Sequence, residues 1–199
     1  KIVEEKVEEN KNILGKVVKN LSGPILRNAI KQAINILAKQ FVFERDIKKA
    51  INFSNEKKHD KYTFSFDMLG EAAVTYGDSD RYYSQYEEAI IETGKGKNPH
   101  KKSISIKLSS LHPRYERNKL DLLKKELFPK AYKLTELGRE NNVDICFDAE
   151  EADRLNLSLF IFKEIIESKL IDEKYQGFGF AVQAYQKRAF FALDWLKKY

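Results

Sequence analysis

Residues 103–115 read SISIKLSSLHPRY, and this stretch indicates how the chain folds. Ile104, Ile106 and Leu108 alternate with serines and with Lys107, which is the period-two pattern of a β-strand. The large apolar residues occupy one face of this strand, and the other face is small or polar and ends in a lysine. The pattern predicts a strand with one face in the core and one face that carries a functional group.

The same pattern occurs three more times, in residues 62–69, 144–148 and 178–183, and a helical stretch follows each strand. Strands separated by helices predict a parallel sheet with right-handed crossovers. Doubly wound sheets bury both strand faces and contain continuous apolar strands, so the alternation favours a closed barrel with its helices outside. We therefore predict an α/β fold, the first half, (βα)₄, of a (β/α)₈ TIM barrel.

The number of strands is half of what a barrel needs. A complete (β/α)₈ barrel takes about 250 residues and eight strands, whereas residues 62–199 provide four. Half a barrel has two open sheet edges and an uncovered interior. We expect either that the other half has been removed from this chain or that copies of it associate as a homo-oligomer.

A helical arm, residues 1–61, precedes the barrel segment. Apolar residues recur at the helical period after Pro24, with Ser22 as a candidate N-cap, and a second helical stretch covers residues 46–53. Residues 54–61 are polar and contain no apolar side chain, which places the domain boundary near residue 61.

The net charge of +6 lies entirely in this arm, where 14 Lys and Arg face 8 Asp and Glu, while residues 62–199 have 22 of each sign. A basic arm suits nucleic acid, an anionic membrane surface or an acidic neighbouring domain. The alternative is a solvated helical face.

Composition excludes several classes of protein. With 42% hydrophobic residues the chain can bury a core, and its single cysteine, Cys146, excludes an internal disulfide and a cysteine zinc site. The single cysteine suits a reducing environment, so we expect a cytoplasmic protein. No apolar run approaches the roughly 20 residues of a membrane span, so we expect it to be soluble. P-loop and Rossmann glycine motifs are absent, and the three histidines lack metal-site spacing, so no metal site is predicted.

Four polar residues end the inward strand faces, namely Asp67, Lys107, Asp148 and Gln183. Barrel enzymes place their chemistry at this carboxyl-terminal mouth. Lys107 can hold an anion or polarise a carbonyl, although a lysine extending from a frayed strand end to solvent is the alternative. Gln183 offers an amide suited to a flavin or a nucleotide.

Further carboxylates lie close to these strand ends. Glu71 either pairs with a cation across the barrel mouth or complements a helix start. The run DAEEADR, residues 148–154, either binds Mg²⁺ or Ca²⁺ or begins a helix. We take Asp148 as the site candidate and assign its other carboxylates, Glu150, Glu151 and Asp153, mainly structural roles, with Arg154 as an internal partner.

Four motifs in order, FSFDMLGEAAVT, SISIKLSSLHPRY, FDAEEADRLNLSL and GFGFAVQAYQKR, closely resemble the proline dehydrogenase domain of bacterial proline utilization A. The resemblance covers residues 62 to about 190. It implies an FAD-dependent barrel that oxidises L-proline to pyrroline-5-carboxylate and passes electrons to a quinone at the membrane. The protein would then associate peripherally with the inner face of the membrane.

The resemblance also implies roles for individual residues. Lys107 and Asp148 would be catalytic residues lining the proline and flavin site, and Gln183 would contact the flavin, with Lys107 and Asp67 nearby. Glu71 would be the acidic half of an ion-pair gate over the pocket.

The family pattern extends past the residues present here. Its flavin-contacting arginine and the paired arginines that bind the proline carboxylate belong to later strands, and the family has an aldehyde dehydrogenase domain and in some members a DNA-binding N-terminus. We therefore expect a fragment that is inactive by itself. The alternative is a non-catalytic helical and half-barrel module whose basic arm binds nucleic acid or an anionic membrane.

Overall fold

The computed structural model describes residues 23–42, 44, 46–68, 70–96 and 102–199. The chain divides into two compact units, residues 1–45 and 46–199. Within the first unit the described element is helix α1, Gly23–Phe41, which begins at the Gly-Pro pair as the apolar periodicity predicts. The candidate N-cap Ser22 lies outside the described residues.

The second unit contains the predicted alternation of strands and helices. Its elements are α2 (Ile47–Ser54), β1 (Phe64–Asp67), α3 (Tyr76–Gly94), β2 (Lys102–Lys107), α4 (Leu120–Glu140), β3 (Asp144–Ala149), α5 (Leu155–Glu167), β4 (Phe178–Val182) and α6 (Ala189–Leu196). Helix α3 begins with a capping box, in which Thr75 Oγ1 accepts from Asp78 N and the Asp78 carboxylate accepts from Thr75 N. Across the described ranges, no helix combines the length and the apolar character needed to cross a membrane.

The four strands form one parallel sheet in the order β1-β2-β3-β4. Ile104 pairs in register with Phe66 on one side and with Ile145 on the other, and Ile145 pairs with Phe178. Every crossover is a helix-containing segment that returns the chain to the next strand. The predicted (βα)₄ order of an α/β fold is confirmed.

The two faces of the sheet differ as the alternation predicts. Ile104, Ile106, Ile145 and Phe147 are completely or almost completely buried and belong to one core cluster with residues of α3, α4 and α5. The alternate positions remain partly exposed, and they are small or polar: Ser103, Ser105, Asp144, Cys146 and Asp148. The sheet therefore has a helix-covered face and an open polar face.

Helix α2 packs with the strand-containing unit. Ala50 and Ile51 are buried in its core, and the His59 ring stacks on Phe53 with 4.0 Å between ring centroids. A ring nitrogen of His59 also lies 2.7 Å from the Phe53 carbonyl oxygen. These contacts place the start of the compact unit at Asp46, earlier than the boundary near residue 61 that the polar composition suggests.

Candidate active site

The four strands bring their functional residues to one edge of the open face. Asp67 and Lys107 are the last residues of β1 and β2, Asp148 is the penultimate residue of β3, and Gln183 directly follows β4. Lys107 and Asp148 are partners in the parallel register, so their side chains leave the same face of the sheet. The structure therefore places both on the open face at the carboxyl ends of their strands.

Lys107 is held by an ion pair inside this edge. Its Nζ lies 2.7 and 2.9 Å from the two carboxylate oxygens of Asp67, and its side chain is only 7% exposed. Burial lowers the pKa of Lys107, but the hydrogen bond and the charge of Asp67 outweigh burial and raise that pKa above its ordinary value. The amino group is therefore an ammonium at neutral pH.

The backbone of Lys107 is fixed by two buried hydroxyl groups. Its N–H donates to Tyr86 Oη at 3.2 Å, and its carbonyl oxygen accepts from Ser110 Oγ at 2.6 Å. Tyr86 comes from α3, so a helix on the covered face sets the position at which β2 ends. Sequence reasoning did not identify Tyr86 or Ser110, because both resemble ordinary core and turn residues.

Asp148 and Gln183 form a second pair. Gln183 Nε2 donates to Asp148 Oδ1 at 3.0 Å. This bond orients the amide, whose carbonyl oxygen can act only as an acceptor. The two pairs, Lys107 with Asp67 and Asp148 with Gln183, are neighbours through the register of β2 and β3.

Glu71 is presented by a tight loop that follows β1. Gly70 has φ +152°, and a Cβ at this position would overlap the Tyr82 ring, so the loop requires glycine. The N–H of Ala72 donates to Ser109 Oγ at 3.2 Å, and the N–H of Ala73 donates to the Ser109 carbonyl at 3.0 Å. These bonds attach the loop to the turn after β2.

Glu150, for which the acidic run suggested a mainly structural role, is a further carboxylate of this cluster. Its Oε1 lies 3.6 Å from Lys107 Nζ. Burial, a hydrogen bond with Glu71 and the negative charges of Glu71 and Asp148 raise the pKa of Glu150 to about 7, although the Lys107 charge acts in the opposite direction. The signal was present, because the alternation of Asp144, Cys146 and Asp148 continues to Glu150.

The neighbouring carboxylates, Glu151 and Asp153, lie at the turn that leads into α5. Glu151 precedes the short 3₁₀ turn Ala152–Arg154 that leads into α5, and its Oε1 pairs with Arg154 Nη1 at 3.1 Å. Asp153 lies within the same turn. Of the acidic run, Asp148 and Glu150 therefore contact the site cluster.

The open face of β4 is shaped for a flat group. Gly179 and Ala181 present almost no side chain, and a Cβ added at Gly179 would meet only Cys146 Sγ, at the ordinary contact distance of 3.8 Å. Burial, and secondarily the charge of Asp148, raise the pKa of the Cys146 thiol, so it remains protonated at neutral pH. A flat ring against this strand would meet the Gln183 amide at one end, so these residues fit a flavin.

Within the described ranges, no group of three or more His, Cys, Asp and Glu side chains has an arrangement that could hold a metal ion. His112 lies 3.0 Å from Glu126 through its Nε2 and thus has a carboxylate partner in the protein itself.

Residues 50–199 match the family Proline dehydrogenase. The chain is 38% identical over 188 residues to the bifunctional protein PutA of Klebsiella aerogenes and 37% identical over 188 residues to that of Escherichia coli. Each alignment covers 92% of this chain and 14% of the relative. The chain thus spans about one seventh of the length of these curated relatives.

Solved structures agree with these sequence matches. Proline utilization A of Bradyrhizobium japonicum matches with a TM-score of 0.72 at 36% identity, over 92% of this chain and 19% of that one. The protein from Bdellovibrio bacteriovorus, with a TM-score of 0.75 at 24% identity over 86% of this chain and 19% of that one, shows likeness of fold. Because the family match covers 150 of the 199 residues and includes every strand, the chain belongs to the proline dehydrogenase family.

Proposed function

We propose that this chain supplies part of the active site of an FAD-dependent proline dehydrogenase that oxidises L-proline to pyrroline-5-carboxylate and passes the electrons to a quinone. The observation that carries the proposal is the buried Lys107 ammonium at the open strand ends, paired with Asp67 and adjacent to the Asp148–Gln183 pair. Family membership supports the choice of substrate.

Lys107 is the group best suited to the substrate carboxylate. An ammonium has three N–H donors, and the Asp67 carboxylate occupies one side of it. With the remaining donor capacity, Lys107 would form a charge-assisted hydrogen bond to a carboxylate bound on the open face of the sheet. Lys107 would thereby orient the amino acid before its oxidation.

We place FAD on the open face of β4, where Gln183 would contact the flavin, with Lys107 and Asp67 farther along the same sheet edge at the ends of β2 and β1. When bound, FAD supplies the acceptor for the hydride that leaves the proline ring. Asp148 would have two functions in this arrangement: it orients the Gln183 amide, and its charge would lie beside the bound substrate.

Glu71 remains our candidate for the gate over the pocket, because its loop lies above the strand ends and carries a carboxylate to the edge of the cluster. A cationic side chain from outside the described residues would complete the ion pair. The relatives are named bifunctional, and we propose that the protein containing this chain likewise has an aldehyde dehydrogenase activity. The alternative of a non-catalytic module has no support from the comparisons.

The direct test uses the protein at its natural length, purified with FAD. We expect proline-dependent reduction of an electron-accepting dye and of a soluble quinone, with pyrroline-5-carboxylate identified by its adduct with an aromatic amine. A preparation that contains bound FAD but neither consumes proline nor reduces the acceptor would show that the proposed function is wrong.

A further inference from the structure

We propose that Tyr86 is a positioning residue for Lys107: its buried hydroxyl group, together with that of Ser110, holds the end of β2 where the Lys107 ammonium reaches both Asp67 and a substrate carboxylate. The inference rests on the proposed function, in which Lys107 binds a carboxylate. Tyr86 itself would touch neither substrate nor flavin, because it belongs to the core cluster on the helix-covered face of the sheet.

Strand pairing between β1 and β2 ends before Lys107. Within the described residues, β1 pairs with β2 as far as Asp67, which lies opposite Ser105. Lys107 thus extends two residues past the last position at which β1 pairs. Backbone N–H and C=O groups that are buried at such a place need other hydrogen-bond partners.

Two side-chain hydroxyl groups are these partners. The Lys107 N–H donates to Tyr86 Oη at 3.2 Å, and Ser110 Oγ donates to the Lys107 carbonyl oxygen at 2.6 Å. Tyr86 Oη and Ser110 Oγ are themselves 3.5 Å apart. Since Ser110 gives its only proton to the carbonyl oxygen, Tyr86 is the donor across this long contact. One pair of hydroxyl groups therefore satisfies both polar groups of the Lys107 backbone.

The Tyr86 hydroxyl group has a fixed position. The residue is 1% exposed and shares its core cluster with Ile104 and Ile106 of β2. Burial raises the pKa of the Tyr86 hydroxyl above its ordinary value, so the group keeps its proton at neutral pH. A large ring enclosed by a close-packed core has little room to move, so it determines where β2 ends.

Lys107 is consequently held at both ends of its side chain. The hydroxyl pair fixes its backbone, and Asp67 binds its Nζ at 2.7 Å. Without the Tyr86 hydroxyl, the buried Lys107 N–H would lose its acceptor, and the end of β2 would move to find another. Because the lysine side chain is only 7% exposed, packing leaves its stem little freedom to compensate, and the ammonium would move away from Asp67.

The test uses the FAD-loaded protein at its natural length and cyclopentanecarboxylate, which has the ring and the carboxylate of proline but no amine that could be oxidised. Calorimetry at neutral pH measures the dissociation constant of this probe. Tyr86→Phe, which removes only the hydroxyl group, should weaken probe binding by about tenfold and leave the affinity for FAD unchanged. In a Lys107→Met background the same substitution should cause no further loss, because Tyr86 acts through Lys107.

The matched control is Tyr175→Phe. Tyr175 is also buried, and its Oη lies 2.8 and 3.1 Å from the carbonyl oxygens of Val143 and Gly177, which directly precede β3 and β4. This variant should unfold at a lower urea concentration than wild type, as Tyr86→Phe should, yet it should bind the probe with wild-type affinity. If Tyr86→Phe fails to fold, Ser110→Ala decides the matter, because it removes the other hydroxyl group and should likewise weaken probe binding.

Competitive acetylation of lysines by acetic anhydride, measured by mass spectrometry, reports the position of the Lys107 amine without any substrate. Tyr86→Phe should raise the labelling rate of Lys107 several-fold relative to other lysines, because the amine leaves its buried ion pair, whereas Tyr175→Phe should not. An unchanged labelling rate in Tyr86→Phe, or a loss of probe binding that is equal with and without Lys107, overturns the inference. A wild-type protein that binds no probe would refute the proposed function, and the labelling rate would still decide the role of Tyr86.

Discussion

Lys107 and Asp148 are register partners on adjacent parallel strands, yet each bonds outward to a different neighbour: Lys107 to Asp67 and Asp148 to Gln183. The four strand ends are thus linked as two pairs that lie side by side. One pair presents a cation and the other an oriented amide with a carboxylate. In the proposed function the first pair would bind the substrate carboxylate and the second would contact the flavin, so the two pairs lead to separate predictions.

Lys107→Met should lower kcat/KM for proline by about tenfold or more in the protein at its natural length, which corresponds to at least ~1.4 kcal/mol of transition-state stabilisation. Methionine retains much of the apolar stem of lysine but cannot bind a carboxylate. Steady-state kinetics with proline would measure the loss, and circular dichroism would verify the fold. Lys163→Met is the control, because Lys163 on α5 pairs with Glu167 at 3.5 Å, away from the site cluster. Equal kinetics of the Lys107 variant and wild type would refute the role of Lys107.

Asp148→Ala should also lower kcat/KM by about tenfold or more, because it removes both a charge and the acceptor that orients Gln183. Gln183→Ala should reproduce part of this loss. Since the two side chains are hydrogen-bonded, the double variant should lose less than the product of the two single losses. Strictly multiplicative losses would show that the pair does not act as a unit.

The alternation of strand residues was sufficient to predict the sheet order and the face on which Lys107 and Asp148 lie. It was sufficient because a parallel register fixes which side chains share a face, irrespective of details of packing. Glu150 follows the same alternation, but a helix start explained its charge equally well, and only the three-dimensional contact with Lys107 distinguishes the two roles.

The start of the compact unit could not be derived from composition. Residues 54–61 are polar, and a polar stretch suggests a connection between domains. In the structure, His59 stacks on Phe53, while Ala50 and Ile51 enter the core. The ion pair of Lys107 with Asp67 could not be predicted either. The strand pattern places the two residues near each other, but it does not show which carboxylate Lys107 contacts.

The isolated chain of 199 residues should bind FAD weakly and should show no proline-dependent reduction of a dye. Among the described residues β1 and β4 each pair with one neighbouring strand, so the site residues Asp67 and Gln183 lie at sheet edges. The family resemblance places the arginines that bind the carboxylate in later strands, and each missing charge-assisted bond removes about 1.5–3 kcal/mol. Equilibrium dialysis with FAD and a dye-reduction assay would test this, and proline-dependent turnover by this chain alone would contradict it.

Lys102→Met should stabilise the protein at neutral pH. Lys102 is 6% exposed, and its Nζ is buried against Gly96 with no hydrogen-bond partner among the described residues. Burial lowers the pKa of Lys102 from 10.5, so the folded state resists protonation of this amine more than the unfolded state does. The charge of the lysine thus destabilises the fold fully at pH values below its folded pKa, and this part of the cost disappears as the pH rises toward 10.5.

Methionine fills a similar volume without an amine, so the free energy of unfolding at neutral pH should increase by about 1–3 kcal/mol, the cost of an unsatisfied buried polar group. Urea unfolding monitored by circular dichroism measures this gain, which should shrink when the comparison with wild type is repeated at pH values approaching 10.5. Lys163→Met serves again as the control, because a partly exposed lysine with a carboxylate neighbour has no comparable cost to remove. A Lys102→Met variant that unfolds at a lower urea concentration than wild type would show that the buried amine has a stabilising partner.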